Sequence, residues 1–449
     1  MFKKLDSYRP IIKKTMSLAY PITIGQFGLV LMGFCDTVML GRVGTPEMGA
    51  ASVGNAIYFL FMLIGVGLMY AISTLASIKV GENKPEQSIP LFISSLKVSA
   101  WFSVVLFIIN LFLVEHFYLF KQSAIVTKLG ADYLWIVNFS VPAMMFYNCG
   151  KQILDGIGQT KISMYVTYFG VGLNVLLNYL MIFGHWGFEP MGLVGAAWAT
   201  VISRFAMAII MLFWAWYHPM MKEFRLKKYL NIDYQIEILK LGLPIGFTFF
   251  FEMGAFTAAL IMTGWINEVY LAAHQIAINI ASLTYMFITG IAAAGNIIVG
   301  NYYGLKDKLM IRKAGFAALL ISVFFELIFM AVFILFSEQI AKMYNTDISV
   351  IESAKYLIFL AAFFQLADGI QAVSAGILRG IKDTLFTGVI AFISYWIIMV
   401  PGAYIACFHF NKGINGIWFF IIFGLTFASI ALFFRFFKQS LYSKLKFDD

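Results

Sequence analysis

The sequence predicts an all-α polytopic membrane protein, with twelve transmembrane helices in two six-helix lobes related by a pseudo-two-fold axis along the membrane normal. Three observations predict it: long apolar runs, alternation of basic loops, and a weak internal repeat. Of the 449 residues, 61% are hydrophobic and only 12% charged, whereas a soluble domain carries roughly 25% charge. The mean hydropathy is +0.84. So few charges cannot cover a water-facing surface, and a bilayer must act as solvent for most of the chain. Backbone groups in lipid must pair within the chain, which leaves helices or a closed barrel. The runs are about 20–25 residues long and do not alternate, unlike ~10-residue barrel strands.

The spans read at residues 15–40, 51–78, 91–114, 130–155, 163–184, 192–216, 239–265, 273–300, 311–336, 354–379, 384–407 and 415–437. The first follows Lys3, Lys4, Arg9, Lys13 and Lys14. It is too long for a signal peptide, has no small-residue cleavage site after it, and reads as a membrane helix. With the N-terminus cytoplasmic, and span ends counted with their loops, the inside segments hold 24 Lys and Arg residues and the outside loops 5. Only Lys97, Arg204 and Lys355 remain within spans. This positive-inside bias predicts an even number of spans in a cell inner (cytoplasmic) membrane, both termini cytoplasmic. It also explains the net charge of +9 without nucleic acid. Cys35, Cys149 and Cys407 lie in apolar stretches without CxxC spacing, so neither a disulfide framework nor a cysteine metal site is expected.

Shifted by 223 residues, the chain matches itself weakly. Leu18, Pro21 and Ile22 fall on Leu241, Pro244 and Ile245; Gly41 falls on Gly264 and Gly81 on Gly304. With a shift of 224, Ile153, Leu154, Gly156, Ile157 and Thr160 fall on Ile377, Leu378, Gly380, Ile381 and Thr384. The lobes are therefore expected at residues 1–220 and 221–449, separated by the basic connection at about 217–238. Six spans is an even number, so both halves cross in the same direction. Such paired halves favour a transporter that alternates access by rocking. Pro21 and Pro244 read equally as static kinks or as hinges.

Ionisable residues within spans are costly and default to functional candidates. Asp36, Asn174, Asn178 and Thr200 share a layer in the outer part of the first half, judged at 1.5 Å of rise per residue. An acid, two amides and a hydroxyl suit a proton or Na⁺; the asparagines equally suit interhelical hydrogen bonding. Glu252 and Asp368 both lie near the midplane of the second half. Two carboxylates at one depth suit a shared proton, Na⁺ or a cationic substrate. Glu326 and Arg204 read as structurally paired, and Asp155 and Arg379 as inner-end residues within reach of water or headgroups.

Phe34-Cys-Asp36-Thr-Val-Met-Leu-Gly41 resembles the first-helix motif of the multidrug and toxic compound extrusion (MATE) family. Gln365-Leu-Ala-Asp368-Gly, continuing to Gly376-Ile-Leu-Arg379-Gly-Ile-Lys-Asp-Thr384, resembles its tenth-helix motif, the most specific of the set. Leu154-Asp155-Gly156-Ile-Gly158-Gln159-Thr160 resembles the first-half counterpart. With Glu252, the pattern is similar to the NorM branch, and the resemblance covers nearly the whole chain. A related branch, DinF, has an acid where this chain has Asn178. The resemblance implies a secondary active multidrug efflux transporter, an antiporter exchanging cationic, amphipathic organic compounds for Na⁺ or H⁺. It implies cation or substrate binding at Glu252 and Asp368, which would be the metal ligands if Na⁺ is the ion. It implies a proton- or Na⁺-linked role for Asp36, with Asn174, Asn178 and Thr200 around it. The expected partners are small organic molecules, the coupling cation and membrane lipids, with the chain a monomer.

The alternative is a lipid-linked saccharide flippase of the same wider superfamily, which Arg204 and Arg379 suit and the midplane carboxylates oppose. An enzyme is not expected, because His116, His185, His218, His274 and His409 are scattered. No phosphate-cradling GxxxxGK[ST] run is present, so neither ATP nor a resident cofactor is expected.

Overall fold

A computed structural model describes residues 8–219 and 232–441. Among the described residues every regular element is helical, and eleven helices are long and apolar enough to cross a membrane. The remaining crossing, span 4, consists of two shorter helices, Ala124–Asn138 and Val141–Gly156. It breaks where Ser140 Oγ donates back to Val137 O at 2.6 Å and where Pro142 supplies no N–H. Twelve crossings result.

In order the other spans are Arg9–Gly41, Thr45–Gly81, Ser88–Glu115, Thr160–Phe183, Gly192–Tyr217, Gln235–Gly264, Glu268–Gly304, Lys308–Tyr344, Ile348–Gly380, Thr384–His409 and Gly413–Leu441. Several extend beyond the apolar runs, because hydropathy sees the stretch in lipid and not the polar turns that cap it. Asn267 Oδ1 accepts from Tyr270 N at 2.8 Å, Asp307 Oδ1 from Met310 N at 3.0 Å and Asp347 Oδ1 from Ser349 N at 2.8 Å. Each satisfies an amide that the helix start leaves open. Span 11 contains π-helical turns at Ile393–Met399 and Ile405–His409, on either side of Pro401, which cannot continue the ladder. Ile209, Ile236, Leu335 and Leu385 are 66–70% exposed. Such side chains on the outer surface fit lipid as solvent.

The chain divides into two compact units. One comprises Ile24–Gly246; the other comprises the chain up to Thr23 together with the chain from Phe247 onward. The lobe boundary expected at 220/221 lies outside the described residues. The divisions fall instead inside spans 1 and 7, each two residues past the repeat-related Pro21 and Pro244. The core of the first unit includes Leu40, Tyr58, Leu68, Met69, Tyr133 and Tyr147. That of the second includes Leu357, Ile358, Tyr395, Ile417 and Trp418.

The first part of span 7 packs on span 2 within the unit Ile24–Gly246. A Cβ at Gly67 would lie 2.4 Å from Gly246 Cα, at Gly242 2.5 Å from Leu68 O, and at Gly246 2.5 Å from Ile64 O. Gly242 and Gly246 form a small-xxx-small face that lets two backbones touch, as membrane helix pairs require. Ahead of it, Ser94 Oγ donates to Asp233 Oδ1 at 3.2 Å and accepts from Tyr234 N at 3.0 Å. Hydrogen bonds from the Gln235 backbone and side chain hold the Asp233 carboxyl below the usual carboxylate range. Gly246→Val is expected to destabilise the protein by about 1–3 kcal/mol, the range for overpacking a close contact. Thermal unfolding of the purified protein in detergent checks this; an unchanged midpoint would show that the contact carries no stability.

Candidate functional site

In the unit Ile24–Gly246, spans 1, 5 and 6 meet at Asp36. Asn178 Nδ2 donates to Asp36 Oδ1 at 2.5 Å and to Asn174 Oδ1 at 3.3 Å. Thr200 Oγ1 donates to Asp36 Oδ2 at 3.5 Å. All four side chains are at least nine-tenths buried. The i,i+4 spacing of Asn174 and Asn178 puts both amides on one face of span 5, and depth along the helices brings Asp36 and Thr200 to the same level. The expected outer layer is therefore assembled. Beside it, Arg204 Nη1 donates to Ser140 Oγ at 2.7 Å, and its guanidinium lies 4.8 Å from the Tyr58 ring centroid. Arg204 is thus structurally partnered, as the sequence suggested.

In the other unit, spans 7, 8, 9, 10 and 11 surround an acidic cluster. Tyr285 OH donates to Glu252 Oε1 at 3.1 Å. Gln371 and the Arg379 charge also act on Glu252. Asp368 lies where the charges of Glu252 and Glu326 both reach it. Gln365, Asp368 and Gln371 follow one another at three-residue spacing along one face of span 10. Gln365 Nε2 donates to Thr284 Oγ1. Glu252 and Asp368 are 9% and 8% exposed, and Glu326 is 3% exposed.

Oxygens in this cluster are left over. Asp368 Oδ1, Glu326 Oε2, Gln365 Oε1, Gln371 Oε1 and Tyr395 OH are buried without a hydrogen-bond partner. Buried polar atoms are almost always satisfied, so a group of orphans calls for a ligand. Here the orphans are mostly oxygens beside carboxylates, the donor set of a proton or a hard cation. Among the described residues no three His, Cys, Asp or Glu side chains converge closely enough to hold a metal ion by themselves. A Na⁺ at Glu252 and Asp368 would therefore complete its shell with neutral oxygens such as those of Gln371 and Tyr285.

Known proteins match this chain over nearly its whole length. The probable multidrug resistance protein NorM of Bacillus licheniformis is 30% identical over 440 residues, covering 96% of this chain and 97% of its own. The multidrug resistance protein MdtK of Photorhabdus laumondii is 30% identical over 443 residues, covering 96% of each. The crystal structure of the eukaryotic MATE transporter AtDTX14 superposes with a TM-score of 0.87 at 16% identity, over 97% of this chain and 99% of that one. The family model MatE matches residues 21–180 and 244–405. The chain belongs to the MatE family.

The two MatE segments begin at Pro21 and Pro244, the same positions the internal repeat pairs. Three sequence readings of this MatE chain need correction. Asp155 and Arg379 are not wetted at inner ends; they are 2% and 7% exposed. Spans 2, 3 and 6 enclose Val141–Gly156, and Asp155 is claimed by Lys151 Nζ at 2.7 Å and Ser163 Oγ at 2.8 Å. Glu326 is not structurally paired, since among the described residues no cation bonds to it and its Oε2 has no partner. It packs instead against Gly369, where an added Cβ would lie 2.5 Å from Glu326 Oε1.

Sequence reasoning missed Tyr285, Gln371 and Tyr395, and gave Gln365 a place in a motif but no role. The glutamines carried a usable signal, three residues either side of Asp368. The tyrosines carried none, because an aromatic in a span packs or binds equally well.

Lys151→Met leaves Asp155 buried without its cation. It is expected to cost about 3–5 kcal/mol, and Lys151→Met with Asp155→Leu to recover most of that. Unfolding midpoints of the two variants check the pair; equal losses would show that packing, not charge, is at stake.

Proposed function

We propose that the protein is a secondary active multidrug efflux transporter that exchanges amphipathic organic cations for H⁺ or Na⁺. The observation that carries this reading is the cluster of Glu252 and Asp368 with its unpartnered oxygens. Relatives at 30% identity over nearly the whole chain bear multidrug-resistance names, which supports the same substrate class. The coupling cation is assigned to Glu252 and Asp368, and the drug to the cavity those carboxylates face in the transporting cycle. A cation that favours one access state and a drug that favours the other are exchanged when their affinities for the states differ; a ligand that binds both states equally moves nothing. Aromatic and methionine side chains, abundant here, tolerate varied greasy cations.

The chain is further proposed to sit in the cytoplasmic membrane with both termini inside, to act as a monomer, and to catalyse no covalent step. The flippase reading finds no support. Arg204 is occupied by Ser140 and Tyr58, and Arg379 Nε donates to Ala375 O at 3.2 Å while its guanidinium lies 5.6 Å from the Phe249 ring.

The test is transport of a fluorescent organic cation in proteoliposomes, with a pH gradient and a Na⁺ gradient imposed separately. Dye movement driven by at least one gradient is expected. No movement under either, with folded protein in the bilayer, would end the antiport reading.

A further inference from the structure

We infer that Arg204 is a built-in counter-cation for Asp36, which takes the electrostatic place of a bound ion in the unit Ile24–Gly246 and leaves mobile-cation binding to the Glu252–Asp368 cluster. This rests on the antiport reading and names the lobe that couples.

Arg204 follows Thr200 by one helical turn, about 6 Å along span 6 on the same face, and Thr200 Oγ1 reaches Asp36 at 3.5 Å. The Arg204 charge acts on Asp36, and both charges act on Tyr133. The guanidinium is anchored by Ser140 Oγ at 2.7 Å and by the Tyr58 and Phe59 rings at 4.8 and 5.9 Å.

A guanidinium does not shed its proton in a protein, and a buried charge needs an opposite one. Arg204 is 6% exposed. Among the described residues the buried carboxylates of this unit are Asp36 and Asp155, and Asp155 is held by Lys151 and Ser163. Asp36 is the carboxylate left for Arg204.

Asn178 turns its N–H toward the carboxylate at 2.5 Å. Thr200 donates as well. Donors solvate an anion whose charge is already balanced nearby; a bound Na⁺ would require oxygen lone pairs in their place.

Among the described residues the buried acidic, lysine and arginine side chains of this unit are Asp36, Asp155, Lys151 and Arg204, which sum to zero when ionised. On the same count the other unit buries Glu252, Glu326 and Asp368 against Arg379 alone. A mobile cation is drawn to the excess carboxylates.

The experiment follows Na⁺ binding to the purified full-length protein by tryptophan fluorescence and calorimetry, at fixed ionic strength against choline chloride. Asp36→Asn in the native chain is expected to leave the Na⁺ response unchanged. Arg204→Gln, and Arg204→Met, which keeps an apolar stem against Tyr58, are each expected to raise Na⁺ affinity at least tenfold. Asp36→Asn added to either is expected to erase that gain, and Arg204→Lys to behave as the native chain. Loss of a native Na⁺ response in Asp36→Asn would overturn the inference, and so would folded Arg204→Gln or Arg204→Met protein with no gain. Transport of the fluorescent cation by the native chain separates the two levels. If it is gradient-driven while these variants fail, the antiport reading stands and only the role of Arg204 falls.

Discussion

Replacing Asp368 by Asn or Glu252 by Gln is expected to lower gradient-driven export of an organic cation at least tenfold, with the protein still folded in the membrane. Both substitutions keep shape and hydrogen-bonding capacity and remove only the charge. In Glu252→Gln the new amide oxygen can still accept from Tyr285 and the amide still meets Gln371, so packing changes little. What is lost is the differential affinity of the cluster for a cation. Coupling free energies between two ligands typically run 1–3 kcal/mol, and a tenfold loss corresponds to about 1.4 kcal/mol. Glu338→Gln supplies the contrast. Glu338 pairs with Lys342 and Lys355 at 2.8 and 2.7 Å, but its side chain is 41% exposed, and exposed pairs contribute about 0–1 kcal/mol. Export by that variant is expected to match the native chain. Transport rates in proteoliposomes under each gradient decide the matter; equal rates for Asp368→Asn and Glu338→Gln would remove Asp368 from the coupling site.

Asp36→Asn has the second large effect, on stability. The substitution leaves Arg204 buried without the carboxylate on which its charge acts. Breaking a buried pair in direct contact costs about 3–5 kcal/mol. Here the guanidinium keeps Ser140 Oγ and the Tyr58 ring, so the expected cost is about 2–3 kcal/mol. Adding Arg204→Gln is expected to return most of it, because the two neutral side chains no longer need each other. Unfolding midpoints for the two single variants and the double variant form the cycle. Additive losses would show that Asp36 and Arg204 do not interact.

Much of this molecule was legible before any coordinates. Lipid leaves the backbone few options, so long apolar runs and basic loops fixed the crossings. Asp36, Asn174, Asn178 and Thr200 were brought together by depth alone, since helices of constant rise turn sequence position into height. Span 4 hid its break because Asn138, Ser140 and Pro142 are too few polar or imino residues to interrupt the mean hydropathy of their run, and hydropathy is blind to a missing N–H. Asp155 was misread for a related reason: height along a helix does not say which helices pack around its end. Glu326 was misread because pairing depends on rotation about the helix, and nothing in a lone glutamate's surroundings reveals what faces it. The crossing of the chain between units at Pro21 and Pro244 was half visible. The repeat matched the two prolines, but only the fold shows that the unit boundary passes just beyond each.

The central proposal is that Glu252 and Asp368 bind the coupling cation in exchange for a drug in the cavity they face. Equilibrium binding of an organic cation to the purified protein, titrated against H⁺ and separately against Na⁺, tests it most directly. The account predicts that drug affinity falls as the coupling ion rises, and that this dependence flattens in Glu252→Gln and Asp368→Asn. Drug affinity that is indifferent to both ions in the native chain, or equally ion-dependent in both variants, would contradict it.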